Sequence, residues 1–305
     1  DLDVFSKLSM EIENKDYQNV VNEVAIIEKK EDLSTPQIVE RPIDDVQQSF
    51  VSNITYQSSS SNTKFFYSQL DEYAKKIFDG IESNIDNMKT GEYKIEFGET
   101  FNNLLSQENG QKLLGEYYQS AIEAFTYDNP EVFFLDPKEM YLNIQKTTSG
   151  KKTTYRVYLE SGENSNYLAE GFNSVEQINE CQAQIVDVKN EVLATLSGDT
   201  KNKIKIIHDY LVDNLSYDQT LSKDNIYNLY GALVNKECVC EGYAKALKYL
   251  LDEAGIDNVI VIGTGTNSRG ETENHAWNYV AIDGIWYAVD STWDDPIIQG
   301  WGISI

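Results

Sequence analysis

The sequence predicts an α+β fold in which a helix packs on a small antiparallel sheet, and three observations in its last third carry that prediction. The stretch CEGYAKALKYLLDEAG, starting at Cys240, has helical character and ends at Gly255, the residue type that closes helices in the left-handed conformation. Three runs of strand length follow it: NVIVIGT, HAWNYVAID and IWYAVDST. Between the last two stand Asp283 and Gly284, a tight-turn dipeptide that makes these runs an antiparallel hairpin.

Three regions divide the chain. Residues 1–64 read as an N-terminal segment with a helix within 12–32, then a polar stretch from Pro36 to Thr63 that runs into SSSSN and has the composition of a linker. Residues 65–198 read as a helical and β-hairpin region. Leu70, Tyr73, Ile77 and Ile81 recur at helical spacing and predict a helix over 65–88. EYKIEF alternates as a strand does, and a further helix should end before Asp128, Asn129 and Pro130. EMYLNI and TTYRVYLE alternate on either side of TTSG, which predicts a hairpin. From about 174 to 196, Ile178, Cys181, Ile185, Val188, Val192 and Leu196 build one apolar helical face. SGDT at 197–200 interrupts it, and Asp199 or Thr200 can cap the next helix, KNKIKIIHDYLVDNL. Residues 199–305 are the third region. All four tryptophans and two of the three cysteines fall there.

Composition narrows the function. The 305 residues carry 50 acidic and 25 basic side chains, a formal net charge of −25, and a surface of that sign repels nucleic-acid phosphates and anionic lipid. No run approaches the roughly 20 apolar residues of a membrane span. A soluble protein that neither binds nucleic acid nor inserts into membranes is expected. The chain begins DLDVF without methionine, as either removal of a secretion signal or an engineered start would leave it. Together with the acidic, Asn- and Tyr-rich composition, this points to a secreted or cell-surface location. Cys181, Cys238 and Cys240 are an odd number, which argues against a disulfide scaffold. Cys238 and Cys240 have no second cysteine pair to complete a zinc site, and with His208 and His275 they match no zinc spacing, so no metal is expected. GTGTNSRG at 263–270 lacks the lysine–serine pair of a phosphate-binding loop, and no cofactor is implied.

Three residues stand out as a chemical constellation. Cys240 opens a predicted helix, where unpaired N–H groups and the helix dipole favour a thiolate, the nucleophilic form of cysteine. Its own N–H can donate to an oxyanion. The plainer alternative is a buried core cysteine. Gly242 and Ala244 are small enough to leave space for a close-fitting substrate or strand. His275 follows the polar GTNSRGETEN loop and is expected to open the strand HAWNYVAI, well placed for a general base because imidazole titrates near neutrality. A purely structural histidine is its alternative. Asp290 ends the next strand. With the turn at 283–284, position 290 falls opposite 277, two residues from His275, within reach of the imidazole it would orient. Asp290 could instead cap a turn with Ser291 or Thr292, and Asp294 and Asp295 are competing carboxylates.

These segments resemble a known family. ECVCEGYAKAL, ENHAWNYVAIDGIWYAVDSTWDDP, IHDYLVDNLSYD and YGALVN are similar to the transglutaminase-like (transglutaminase/protease core) superfamily, and most to its surface-associated branch in Firmicutes. The family pattern reads C-x-G-Y-A, then H-x-W-N, then D-x-T-W-D-D-P. The match is dense over about 200–296. It implies a papain-like core with the nucleophile helix packed on an antiparallel sheet, with Cys240 as nucleophile, His275 as base and Asp290 as third member. In such a site an amide or ring donor from the segment before the nucleophile can complete the oxyanion hole, which makes Tyr230 and Asn235 candidates. Trp277, Trp293 and Tyr243 are candidate cleft-lining residues, with Tyr243 expected on the inner face of the nucleophile helix. His208 and Tyr217 are expected to pack or hydrogen-bond. Cys238 stands where a glycine or other small residue is common, and reads as a packed small hydrophobe or a redox partner of Cys240. The chain stops at WGISI, where related domains continue with a further strand or aromatic-rich tail.

The resemblance implies acyl transfer at an amide of a protein or peptide substrate, through a thioester. Water as acceptor gives a peptidase or amidase of a protein or cell-wall peptide; a lysine amine gives a protein-glutamine cross-linking enzyme. A non-catalytic surface binding or structural module is the alternative from a different class.

Overall fold

The computed structural model describes residues 64–162, 165–266 and 272–294. The helix expected within 12–32, the polar stretch 36–63, Asp295 and the WGISI tail lie outside them. The described residues divide into two compact units, 64–180 and from 181 onward.

The first unit holds helices α1 (Phe65–Gln69), α2 (Glu72–Glu82) and α3 (Ile85–Met88), strand β1 (Ile95–Gly98), helices α4 (Asn102–Leu105) and α5 (Gly110–Asp128), and strands β2 (Met140–Ser149) and β3 (Lys152–Ser161). The single helix expected over 65–88 is three pieces. Leu70 is extended, and the Asp71 carboxylate accepts the Tyr73 N–H at 2.9 Å, capping α2 and fixing a new start. Asp128 terminates α5 and accepts the backbone N–H groups of Phe66 and Tyr67, so a helix end carries the capping of another helix. The hairpin β2–β3 pairs from Met140↔Ser161 to Ser149↔Lys152, with β1 along the other side of β3. Ile77, Phe78, Ile81, Phe101, Tyr118, Phe125, Val157 and Leu159 are buried in its core.

The helix expected over 174–196 is α6 (Val175–Ala194), which runs across the division between the units. In the second unit α7 (Thr200–Asn214) follows, with the Asp199 carboxylate accepting the Asn202 N–H at 2.9 Å as its cap. Its buried face is Ile204, Ile207, His208 and Leu211. A short parallel pair, β4 (Ser216–Tyr217) and β5 (Glu237–Cys238), clips the end of α7 to the segment that leads into α8 (Cys240–Glu253). Three antiparallel strands complete it: β6 (Asn258–Thr266), β7 (Thr272–Ile282) and β8 (Ile285–Val289), in the order β6-β7-β8. Helix α8 packs on β6 and β7. The architecture is therefore α+β, with the cysteine-bearing helix on an antiparallel sheet.

Two local features position α8. Gly242 sits so close to its surroundings that an added Cβ would lie 2.5 Å from the Cys238 Cβ and 2.8 Å from the Ile226 carbonyl oxygen. Its bare backbone is therefore needed for the approach of β5, rather than for a substrate. At the other face the Asn278 side-chain amide, buried in β7, donates to the Ala244 carbonyl at 2.9 Å and ties the helix to the strand.

Candidate active site

Cys240 is the first residue of α8, and Val239 before it provides no side-chain cap. The first intrahelical bond runs from the Tyr243 N–H to the Val239 carbonyl, which leaves the N–H groups of the first turn directed at the thiol end of the helix. Cys240 is partly exposed, whereas Cys181 and Cys238 are buried; all three are free. A partly exposed thiol at a helix N-terminus is accessible to an electrophile, and the dipole favours its anion.

His275 does not open its strand. The ladder continues on its N-terminal side through Asn274↔Thr264 to Thr272↔Thr266, so His275 lies three residues inside β7 opposite Gly263. The polar sequence before His275 concealed this extension, because strand pairing here is made by backbone groups. The imidazole is 5% exposed. Its Nε2 lies 2.6 Å from Asp290 Oδ2, and the ring also hydrogen-bonds Cys240. With Nε2 taken by the carboxylate, Nδ1 is the nitrogen left for the thiol.

The hairpin explains how Asp290 arrives there. Asp283 and Gly284 have φ of 51° and 82°, the two left-handed residues of a tight type I′ turn, and the ladder runs to Asn278↔Val289. One step further, Asp290 leaves the sheet beside Trp277. Asp290 makes two kinds of contact at once: Oδ2 meets His275, while Oδ1 accepts the N–H groups of Thr292 and Trp293, each at 3.1 Å. The turn so formed brings the Trp293 indole parallel to the imidazole, with ring centres 4.4 Å apart and planes 15° apart. Trp277 also lies parallel to it at 5.8 Å.

Burial works to lower the basicity of His275, but the hydrogen bonds and negative charges of Asp290 and Cys240 outweigh it and push the pKa up to about 9. The nearby indole faces further favour the cation. The imidazole therefore stands between the Asp290 carboxylate and the Cys240 sulfur.

The other sequence candidates fall as follows. Trp293 is 41% exposed beside the imidazole and Trp277 is half-buried, positions from which each can border a cleft. Tyr243 is fully buried, so it is a core residue and not a wall of the cleft. The Tyr230 hydroxyl interacts with the Cys181 thiol. Asn235 is exposed at the end of a single π-helical turn, Gly231–Asn235. Cys238 is fully buried against Gly242, the packed small hydrophobe of the two readings. Asp294 faces His208 and not His275. Among the described residues, no cluster of histidine, cysteine and acidic side chains is arranged to hold a metal ion, and no helix is long and apolar enough to cross a membrane.

Sequence reasoning missed two neighbours. Asn278 ties the helix of Cys240 to the strand of His275; its place in H-x-W-N was visible, but its direction into the helix depends on which face of β7 packs inward. Tyr227 is 51% exposed, and burial, then the charges of Glu241 and Cys240, push its phenol pKa up. Its carbonyl accepts from the buried Lys245 ammonium at 3.0 Å, an ammonium also paired with Glu241 at 2.6 Å. It lies in an irregular segment where no periodicity announces a role.

Part of the chain is similar to known proteins. Residues 186–291 match the family model described as the transglutaminase-like superfamily. Kyphoscoliosis peptidase of Mus musculus is 26% identical over 124 residues, 36% of this chain and 19% of that protein. Its counterpart of the same name in Homo sapiens is 26% identical over 108 residues, 32% of this chain and 16% of that protein. The chain thus spans less than a fifth of the length of these relatives. A crystal structure of a TGase aligns with a TM-score of 0.34 and 14% identity, covering 55% of this chain and 47% of that one. The segment that matches this family model contains Cys240, His275 and Asp290.

Proposed function

We propose that this protein is a cysteine-dependent acyl-transfer enzyme that cleaves amide bonds of a protein or peptide, with residues 199–305 as its catalytic core. The observation that carries the reading is one buried imidazole hydrogen-bonded to both a helix-opening thiol and a turn-held carboxylate.

In this reaction the Cys240 sulfur adds to the amide carbonyl carbon, and the carbonyl oxygen becomes an oxyanion. The Cys240 N–H and the N-terminal end of α8 stabilise that charge. The His275 imidazolium gives its proton to the departing amine nitrogen, the C–N bond breaks, and a thioester remains on Cys240. Neutral His275 then takes a proton from water as the water oxygen attacks the thioester, which releases the acid and restores the thiolate–imidazolium pair. Asp290 keeps Nε2 hydrogen-bonded throughout and stabilises the cation.

Hydrolysis is the preferred outcome because the mouse and human relatives are named peptidases. The same thioester could be taken by a lysine amine, and the partly exposed thiol leaves both acceptors open to test. Purified protein incubated with an unstructured, glutamine- and lysine-containing polypeptide should yield new N-termini that are absent with Cys240→Ala. Ammonia release with isopeptide cross-links would move the assignment to transamidation. A complete lack of thioester formation on Cys240, in protein whose thiol is intact, would remove the enzymatic reading.

A further inference from the structure

A second histidine–carboxylate pair stands behind the first, and the proposed chemistry does not use it. His208 lies on the buried face of α7 with its side chain 6% exposed. Its Nδ1 is 3.1 Å from Asp209 Oδ1 and its Nε2 is 3.3 Å from Asp294 Oδ2. The Nε2 atom is fully buried and makes no aligned hydrogen bond among the described residues, so its contact with the Asp294 carboxylate is an ion pair by proximity. Carboxylates accept and do not donate, and facing both ring nitrogens they favour the doubly protonated imidazolium. Burial opposes that cation, but Asp294 and then Asp209 raise its pKa.

The other end of this contact is the turn that shapes the candidate site. The Asp294 N–H donates to the Asp290 carbonyl at 3.2 Å, closing the turn whose interior N–H groups are held by Asp290 Oδ1. The same five residues supply the carboxylate on His275 and the indole stacked on it. Beyond β8 they have no sheet partner. Helix α7 packs against α8, the helix that carries Cys240. An anchor from α7 to the far end of the turn therefore references Asp290 and Trp293 to the same body that positions the thiol.

We propose that His208 is a positioning residue: through its ion pair with Asp294 it holds the 290–294 turn so that Asp290 and Trp293 set the orientation of His275 against Cys240. This rests on the reading of Cys240 and His275 as a nucleophile–base pair. The polar contacts of His208 are with Asp209 and Asp294, and not with the thiol or the imidazole of His275. It acts through the backbone and side chains of the turn, and the geometry it protects is one in which a displacement of about 1 Å costs on the order of a hundredfold in rate.

The test compares wild type, His275→Ala, His208→Gln, Asp294→Asn and the double variant, each checked for cooperative thermal unfolding. The reads are the rate of Cys240 alkylation by iodoacetamide across pH and the near-ultraviolet circular dichroism of the tryptophans. Asp294 is 38% exposed on its side chain, so its variant should fold even where His208→Gln does not. The expected result is that Asp294→Asn and His208→Gln each slow alkylation about tenfold, move the upper pH inflection below that of wild type and weaken the tryptophan signal. The double variant should be no slower than either single one, since both break one contact. Folded single variants with wild-type rate, inflection and tryptophan signal would overturn the proposal, as would additive losses in the double variant. If wild-type alkylation is itself indifferent to His275→Ala, the underlying nucleophile–base reading fails, and this inference with it.

Discussion

The indole of Trp293 lies parallel to the imidazole of His275 with ring centres 4.4 Å apart, and one carboxylate, Asp290, holds both. Oδ2 takes the ring nitrogen and Oδ1 takes the Trp293 backbone N–H, so the orientation of the base and of its aromatic cover are set together. A partly exposed indole against a buried imidazolium gains a cation–π attraction of about 0.5–2 kcal/mol. Trp293→Ala should therefore fold normally, lower the His275 pKa by up to about one unit and reduce turnover several-fold. NMR titration of the imidazole checks this; an unchanged titration would mean that the stacking carries no energy.

Asp290→Asn separates the two roles of the carboxylate. The amide oxygen can still accept the N–H groups of Thr292 and Trp293, so the turn should persist. Its neutral NH2 cannot stabilise an imidazolium, and it presents a donor to Nε2, which favours the wrong tautomer. The variant should retain its melting temperature within a few degrees and lose activity by about a hundredfold or more. Asp290→Ala should lose both, with a melting temperature clearly lower than that of the Asn variant.

The pH dependence of stability has a definite sign for His275. Its folded pKa of about 9 lies above the ordinary 6.5, so the folded state holds the proton more tightly than the unfolded chain does. Below 6.5 both states are protonated and this contribution is fully present. Between 6.5 and 9 the unfolded chain has lost the proton while the folded chain retains it, so the contribution shrinks as pH rises, and above 9 it is gone. Its upper bound is about 3 kcal/mol. Urea unfolding of wild type and His275→Ala should diverge most at pH 6 and converge by pH 10; a gap that widens with pH would contradict the assignment.

Asn278 links the two elements that carry the pair. Removing its amide leaves the Ala244 carbonyl without that donor in a buried site and opens a small void, which costs about 1–3 kcal/mol. Asn278→Ala should lower the denaturation midpoint by that amount and slow Cys240 alkylation, because α8 loses its direct tie to β7. Loss of stability with an unaltered thiol would show that packing alone holds the helix in place.

Much of this was legible in the sequence, for identifiable reasons. The Asp283–Gly284 turn selects a two-residue hairpin, and that alone puts Asp290 beside the His275 end of β7. Gly255, with φ of 70°, closes α8 where expected, and Asp199 caps α7. The break of α1 from α2 was hidden because Leu70 continues the apolar period while Asp71, as a cap, overrides it. The length of β7 was hidden by polar side chains on a backbone ladder. The pairing of His208 with Asp294 joins residues 86 positions apart across a tertiary contact, and no local pattern encodes that.

The most direct test of the account is the alkylation rate of Cys240 by iodoacetamide, resolved by mass spectrometry from Cys181 and Cys238, from pH 5 to 10 in wild type and His275→Ala. The account predicts rapid alkylation of Cys240 well below pH 8 in wild type, a second inflection near 9 as His275 loses its proton, and collapse of the low-pH reactivity in the variant. An ordinary thiol profile in wild type, identical in His275→Ala, would contradict it and leave Cys240 as a cysteine that merely begins a helix.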